Sequence, residues 1–131
     1  MTSINPLQAV IIPVTAFQQN CTLLWCTRTM KGAFVDPGGD LDRLKAAGAQ
    51  HNVTVEKILV THGHIDHCGT AGILAKELGV KIEGPEEADR FWISRLGDDG
   101  RSYGISGEPF EPDRWLKDGD QVTVGELVLD V

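Results

Sequence analysis

Residues 55–68 read V-E-K-I-L-V-T-H-G-H-I-D-H-C, and their character changes halfway. Val55 to Val60 is an apolar, β-branched run of strand length. Thr61 to His67 then places three imidazoles, His62, His64 and His67, and one carboxylate, Asp66, within six positions. Residues 69–78, G-T-A-G-I-L-A-K-E-L, follow as a helix with Gly79 as its stop. A strand, a loop of ligand-type side chains and a helix thus succeed one another. Open α/β sheets bind ligands at such strand ends.

The spacing within the loop has chemical content. His62 and His64 are two apart, so an extended backbone points both to one side, where they can share a metal ion. Asp66 and His67 come as the chain turns into the helix and can hold a second ion. Two-metal hydrolytic sites place their ions roughly 3.5–4 Å apart, a span this loop can serve. One histidine alone would read as structural; four ligand-type residues at one strand end read as a metal site. Asp66 is also the candidate catalytic residue.

The flanking segments supply the rest of an α/β domain. Upstream, Leu7 to Val14, Cys21 to Thr27 and Ala33 to Asp36 read as strands of an antiparallel meander, with a polar link at Ala16 to Asn20. Asp36 to Asp40, D-P-G-G-D, breaks the sheet, and Asp40 is placed to cap a helix whose apolar face is Leu41, Leu44 and Ala47. Val55 to Val60 is expected to be a central strand. Downstream come a short strand at Val80 to Glu83 and a helix at Glu86 to Leu96. A surface loop is expected from Leu96 to Pro112. A hairpin closes the chain at Gln121 to Val124 and Glu126 to Val131, turning at Gly125. The last strand runs into the chain end where a polar linker would mark a boundary. The expectation is one domain, 1–131, cut short on its C-terminal side.

Composition bounds the partners. The 131 residues carry a net charge of −7, which argues against nucleic acid, since phosphate binding needs clustered Lys and Arg. No apolar run reaches the roughly 18 residues of a membrane span, and the first residues do not resemble an export signal. A cytoplasmic location and no membrane partner are the expectations. Of three cysteines, Cys21 and Cys26 should face opposite sides of a strand, so reduced thiols are expected. Cys68 reads as a small buried residue rather than a nucleophile. His51 is expected at the surface. Asp36 is either a partner for a ligand histidine or a loop-shaping residue. Phe91, Trp92, Tyr103 and Trp115 could line a cleft, with core packing favoured for Phe91 and Trp92.

The motif T-H-G-H-I-D-H resembles the signature of the metallo-β-lactamase fold superfamily. The segments I-P-V-T-A-F-Q-Q-N-C-T-L-L-W (12–25), V-D-P-G-G (35–39) and D-R-W-L-K-D-G-D (113–120) are similar to those of small bacterial hydroxyacylglutathione hydrolases, the type II glyoxalases. This resemblance covers nearly the whole chain. It implies the N-terminal half of an αββα sandwich, a mixed sheet with helices on one face. It implies two divalent metal ions, zinc first, with iron or manganese as alternatives. His62 and His64 would ligate the first, Asp66 and His67 the second. It implies hydrolysis of a small-molecule thioester of the S-lactoylglutathione type by a metal-bridging hydroxide. The family's third first-metal histidine, bridging aspartate and last histidine have no match within residues 1–131. Other chemistries on the fold are a persulfide dioxygenase, a lactonase and a phosphodiesterase. A chain naturally this short would be an inactive fragment. The oligomeric state is left open.

Overall fold

A computed structural model describes residues 6–15, 18–104 and 107–131. Ala16 and Phe17, part of the expected polar link, lie outside them. The opening meander forms as expected. Strands β1 (Leu7–Val14), β2 (Gln19–Cys26) and β3 (Lys31–Val35) pair antiparallel in sequence. Helix α1 (Leu41–Gln50) then returns the chain so that β4 (Thr54–Leu59) runs parallel to β3. The turn α2 (Ile65–Cys68) and helix α3 (Ala71–Leu78) bring β5 (Lys81–Glu83) parallel to β4. The sheet order is β1-β2-β3-β4-β5, so β3 is the central strand and β4 lies between β3 and β5.

Burial follows the strand period. Val14, Cys21, Leu23, Phe34 and Ile58 point into one face, where Leu44 of α1 and Ala71 and Leu74 of α3 cover them. Each such side chain contributes roughly 1.5–3 kcal/mol by leaving water. Ala33 and Leu59 point to the other face. There Leu116 and the hairpin of β6 (Gln121–Val124) and β7 (Leu127–Asp130) pack, burying Val122 and Val124. The helices therefore lie on one face and a second small sheet on the other, the half-sandwich expected from the sequence.

Several local expectations are corrected. Asp40 stands at the N-terminus of α1 but makes no side-chain cap; its backbone is left-handed (φ 53°) and its carboxylate accepts the Thr15 N–H at 2.8 Å. His51 is half-buried, its ring 5.1 Å from that of Trp25. Residues expected to form a loop after Leu96 instead begin with helix α5 (Leu96–Tyr103), which follows α4 (Arg90–Ser94) directly. The glycines and paired aspartates of L-G-D-D-G-R-S-Y look like a loop, but Leu96 and Gly100 are buried and hold the segment against the core. Phe91 and Trp92 are not core residues: Phe91 is 57% exposed and Trp92 38%. Their neighbour Ile93 fills the core instead.

Candidate metal centre

Parallel pairing creates the site. Val35 and Leu59 are in register, so the chain leaves β3 and β4 at the same level. Asp36, the first residue past β3, donates its N–H to the Leu59 carbonyl at 2.9 Å and so comes to lie beside Thr61. Its side chain is only 8% exposed. Oδ1 accepts the Thr61 N–H at 2.7 Å, and Oδ2 accepts the Thr61 hydroxyl at 2.6 Å. The same Oδ2 lies 3.0 Å from Nδ1 of His67. A carboxylate that already accepts two hydrogen bonds requires the third partner to donate, so Nδ1 of His67 carries the proton. Nε2 is left as the lone-pair atom and stands 3.6 Å from Asp66 Oδ2.

The four motif residues are brought together. His64 keeps an extended backbone (φ −72°, ψ 149°) just ahead of α2. The His64 carbonyl accepts the N–H groups of His67 and Cys68 at 3.0 and 3.1 Å, and that turn swings Asp66 and His67 back toward His62. The His62 ring lies between its neighbours, 4.9 Å from the His64 centroid and 3.8 Å from that of His67. Nδ1 of His62 sits 3.0 Å from the Thr61 hydroxyl, leaving Nε2 for a ligand. His64 meets Trp92 edge-on at 4.8 Å.

Two glycines let the loops approach this closely. A Cβ on Gly38 would stand 1.9 Å from the Asp66 carbonyl oxygen, so the D-P-G-G loop lies directly against the ligand turn. A Cβ on Gly63 would meet Asp89 O and Trp92 Cβ at 3.0 Å each. Gly63 also donates its N–H to Asp89 Oδ2 at 2.9 Å, tying the motif to the 3₁₀ turn Glu87–Asp89.

The electrostatics favour a neutral imidazole at His62. Burial, and then the neighbouring His67, hold the His62 imidazole below its ordinary range; Asp36 opposes this more weakly. Cys68 is fully buried, its Sγ donating to the His64 carbonyl at 3.4 Å, and burial pushes its thiol well above the usual range. It is the inert core residue the sequence suggested.

Ligand-type atoms of Asp36, His62 and His67 all lie within 4.8 Å of one another. Asp36 was an open alternative in the sequence; here its carboxylate is engaged with Thr61 and His67, so it orients His67 from within the candidate cluster. Among the described residues that cluster is the candidate metal site, with the His64 ring beside His62 and the Asp66 carboxylate beside His67. That nitrogen–oxygen donor set fits zinc, iron or manganese. Thr61, Gln19 and Asp89 also shape the site. Gln19 Nε2 is 3.3 Å from His67 Nδ1, and its Oε1 is buried without a partner. Thr61 opens the motif itself, whereas nothing in the local sequence marked Gln19 and Asp89, which reach the motif through sheet pairing and helix packing.

Comparison with known proteins gives the family. Residues 14–131 match the Metallo-beta-lactamase superfamily. The chain belongs to that superfamily. It is 39% identical over 113 residues to hydroxyacylglutathione hydrolase GloC of Haemophilus influenzae, covering 86% of this chain and 53% of that protein. It is 34% identical to a hydroxyacylglutathione hydrolase of Serratia proteamaculans, covering 76% of this chain and 40% of that one. The chain thus spans about half the length of these superfamily relatives. Among solved structures, the B3 metallo-beta-lactamase BLEG-1 superposes with a TM-score of 0.78 at 24% identity, covering 94% of this chain and 59% of that one. TTHA1623, solved in a di-iron-bound form, gives 0.76 at 23%, covering 86% and 56%. The chain is thus a metallohydrolase-like member of the superfamily with a candidate His/Asp metal site. Among the described residues no helix is long and apolar enough to cross a membrane.

Proposed function

We propose that the whole protein hydrolyses a thioester of the hydroxyacylglutathione type with the help of two divalent metal ions. The observation that carries this is the cluster of Asp36, His62 and His67 at the strand ends, with His64 and Asp66 beside it and Asp36 fixing the tautomer of His67. The likeness to hydroxyacylglutathione hydrolases supports it.

His62 and His64 would hold one ion, Asp66 and His67 the other, with zinc the first candidate. When bound, such ions lower the pKa of a coordinated water toward neutrality and polarise a carbonyl. The chain's own residues have narrower tasks. Asp36 holds the His67 proton on Nδ1, so Nε2 faces the reaction side. Thr61 braces the Asp36 carboxylate and the His62 ring from behind. Asp66, one-third exposed, faces the cleft and can orient the attacking water. A thiolate leaves without a strong acid, because thiol pKa values lie near 8.5. Cys68 takes no part.

The test is thiol release from S-lactoylglutathione by the metal-loaded whole protein, with metal content measured alongside. His62→Ala and Asp66→Ala should each abolish turnover, and His62→Ala should also lower bound metal. Undiminished turnover in both variants would sink the proposal.

A further inference from the structure

The segment after the motif carries two helical stripes. Ile93, Leu96 and Gly100, spaced by three and four, are buried. Trp92, Arg95, Asp99 and Tyr103, spaced by three, four and four, form the adjacent stripe. The chain bends at Arg95 (φ −99°, ψ 2°), between α4 and α5, yet the stripe continues through the bend. Its four side chains join His64 and Asp66 in lining a cleft of about 510 Å³. The superfamily motif supplies one wall of this cleft and α4–α5 the other.

The charges on that wall are unequal in availability. Asp66 belongs to the metal-ligand set. Asp99 is 16% exposed and lies 3.5 Å from Nη2 of Arg95. The Arg95 guanidinium also sits 5.3 Å from the centre of the Phe91 ring. It is held from two sides while its side chain stays 49% exposed. A guanidinium has five N–H donors in a planar fork, and one contact with Asp99 leaves most of them for a ligand. Among the described residues lining the cleft, Arg95 is the cation. Trp92, whose ring meets His64, stands between the motif and Arg95. Three residues of helix put Arg95 roughly 4.5 Å further along than Trp92.

We infer that Arg95 is a specificity-determining residue that selects thioesters bearing a carboxylate, with Trp92 covering the apolar stretch between that carboxylate and the reacting carbonyl. This rests on the thioester reading above. A carboxylate on the thiol arm and one on the acyl arm share the same chemistry for a planar cation.

Three substrates separate them in the metal-loaded whole protein. S-lactoylglutathione carries carboxylates on the thiol arm. The succinyl thioester of N-acetylcysteamine carries one on the acyl arm. The lactoyl thioester of N-acetylcysteamine carries none. Arg95→Gln should raise KM about tenfold or more for one carboxylate-bearing substrate while kcat stays within about twofold, as loss of a charged hydrogen bond predicts. The substrate affected identifies the arm. The neutral thioester should be unaffected, and Arg95→Lys should recover part of the loss. Equal changes for all three substrates, or none, overturn the inference. If the wild type cleaves no thioester, the proposed function fails, and calorimetric titration with two inert thioethers, S-methylglutathione for the thiol arm and S-(3-carboxypropyl)-N-acetylcysteamine for the acyl arm, judges Arg95 separately. Weaker binding of either to Arg95→Gln upholds its role; equal binding of both, or none to either protein, overturns it.

Discussion

The ligand turn at residues 61–68 and the cleft wall at residues 87–103 face each other across one cleft but are built differently. The turn is dense in hydrogen bonds: Asp36 to Thr61 and His67, His64 to His67 and Cys68, and Asp89 to Gly63. The wall is held mainly by two apolar anchors, Ile93 and Leu96, with ion pairs at its surface. Polar networks fix positions within tenths of an ångström, as metal ligands need. Apolar anchoring fixes a helix but leaves its outer residues free to vary. The proposed chemistry therefore belongs to the turn and the proposed substrate preference to the wall.

Substitutions can break this division. The largest effect is expected for Leu96→Ala, which removes the fully buried anchor of α5. Truncation should cost about 2–5 kcal/mol, read as a lower melting temperature, while metal affinity of the folded protein stays unchanged. A parallel loss of metal would show that wall and turn are one unit. Asp36→Asn should do the reverse. It keeps the shape but places an amide where Thr61 and His67 donate, and metal affinity should fall roughly 10–100-fold with modest loss of stability. Metal titration of the variant measures this.

Gly38→Ala tests the closeness of the two loops. The added Cβ must displace either the D-P-G-G loop or the Asp66 carbonyl, costing about 1–3 kcal/mol in thermal or urea unfolding. The smallest effect concerns pH. His62 is harder to protonate in the folded chain than in the unfolded one, where the reference value is 6.5. The unfolded chain then binds more protons as pH falls below that value, so the metal-free protein should lose stability there. Above it this group contributes no pH dependence. Melting curves between about pH 7.5 and 5 should show a shallower fall for His62→Gln. An identical slope in both proteins would remove His62 from the account.

Much of the site was legible because its information is local. His62, His64, Asp66 and His67 lie within six residues, and strand and turn geometry alone brings them together. The strands were legible from apolar runs of the right length, and the helices on either side of Val55 to Val60 from their periodicity and stops. Asp36 could be named but not assigned, since its role depends on the parallel register of β3 and β4. Trp92 and Tyr103 were named as possible cleft residues and line the cleft, but the helical second half of the wall was missed for a sharper reason. Gly97, Gly100 and Gly104 together with Asp98 and Asp99 have loop propensity, and only the burial of Leu96 and Gly100 against the core makes them helical. The exposed positions of Phe91 and Trp92 were hidden likewise, because Ile93 took the inward place.

The sequence by itself determined the half-sandwich and the grouping of candidate donor residues at one strand end, both set by spacing along the chain. Tertiary structure decided which His67 nitrogen faces outward, that Asp36 orients His67, and that Trp92, Arg95, Asp99 and Tyr103 form a wall. Those outcomes depend on side chains distant in sequence, or on which of two helical stripes is buried. Only packing of the whole domain supplies that information.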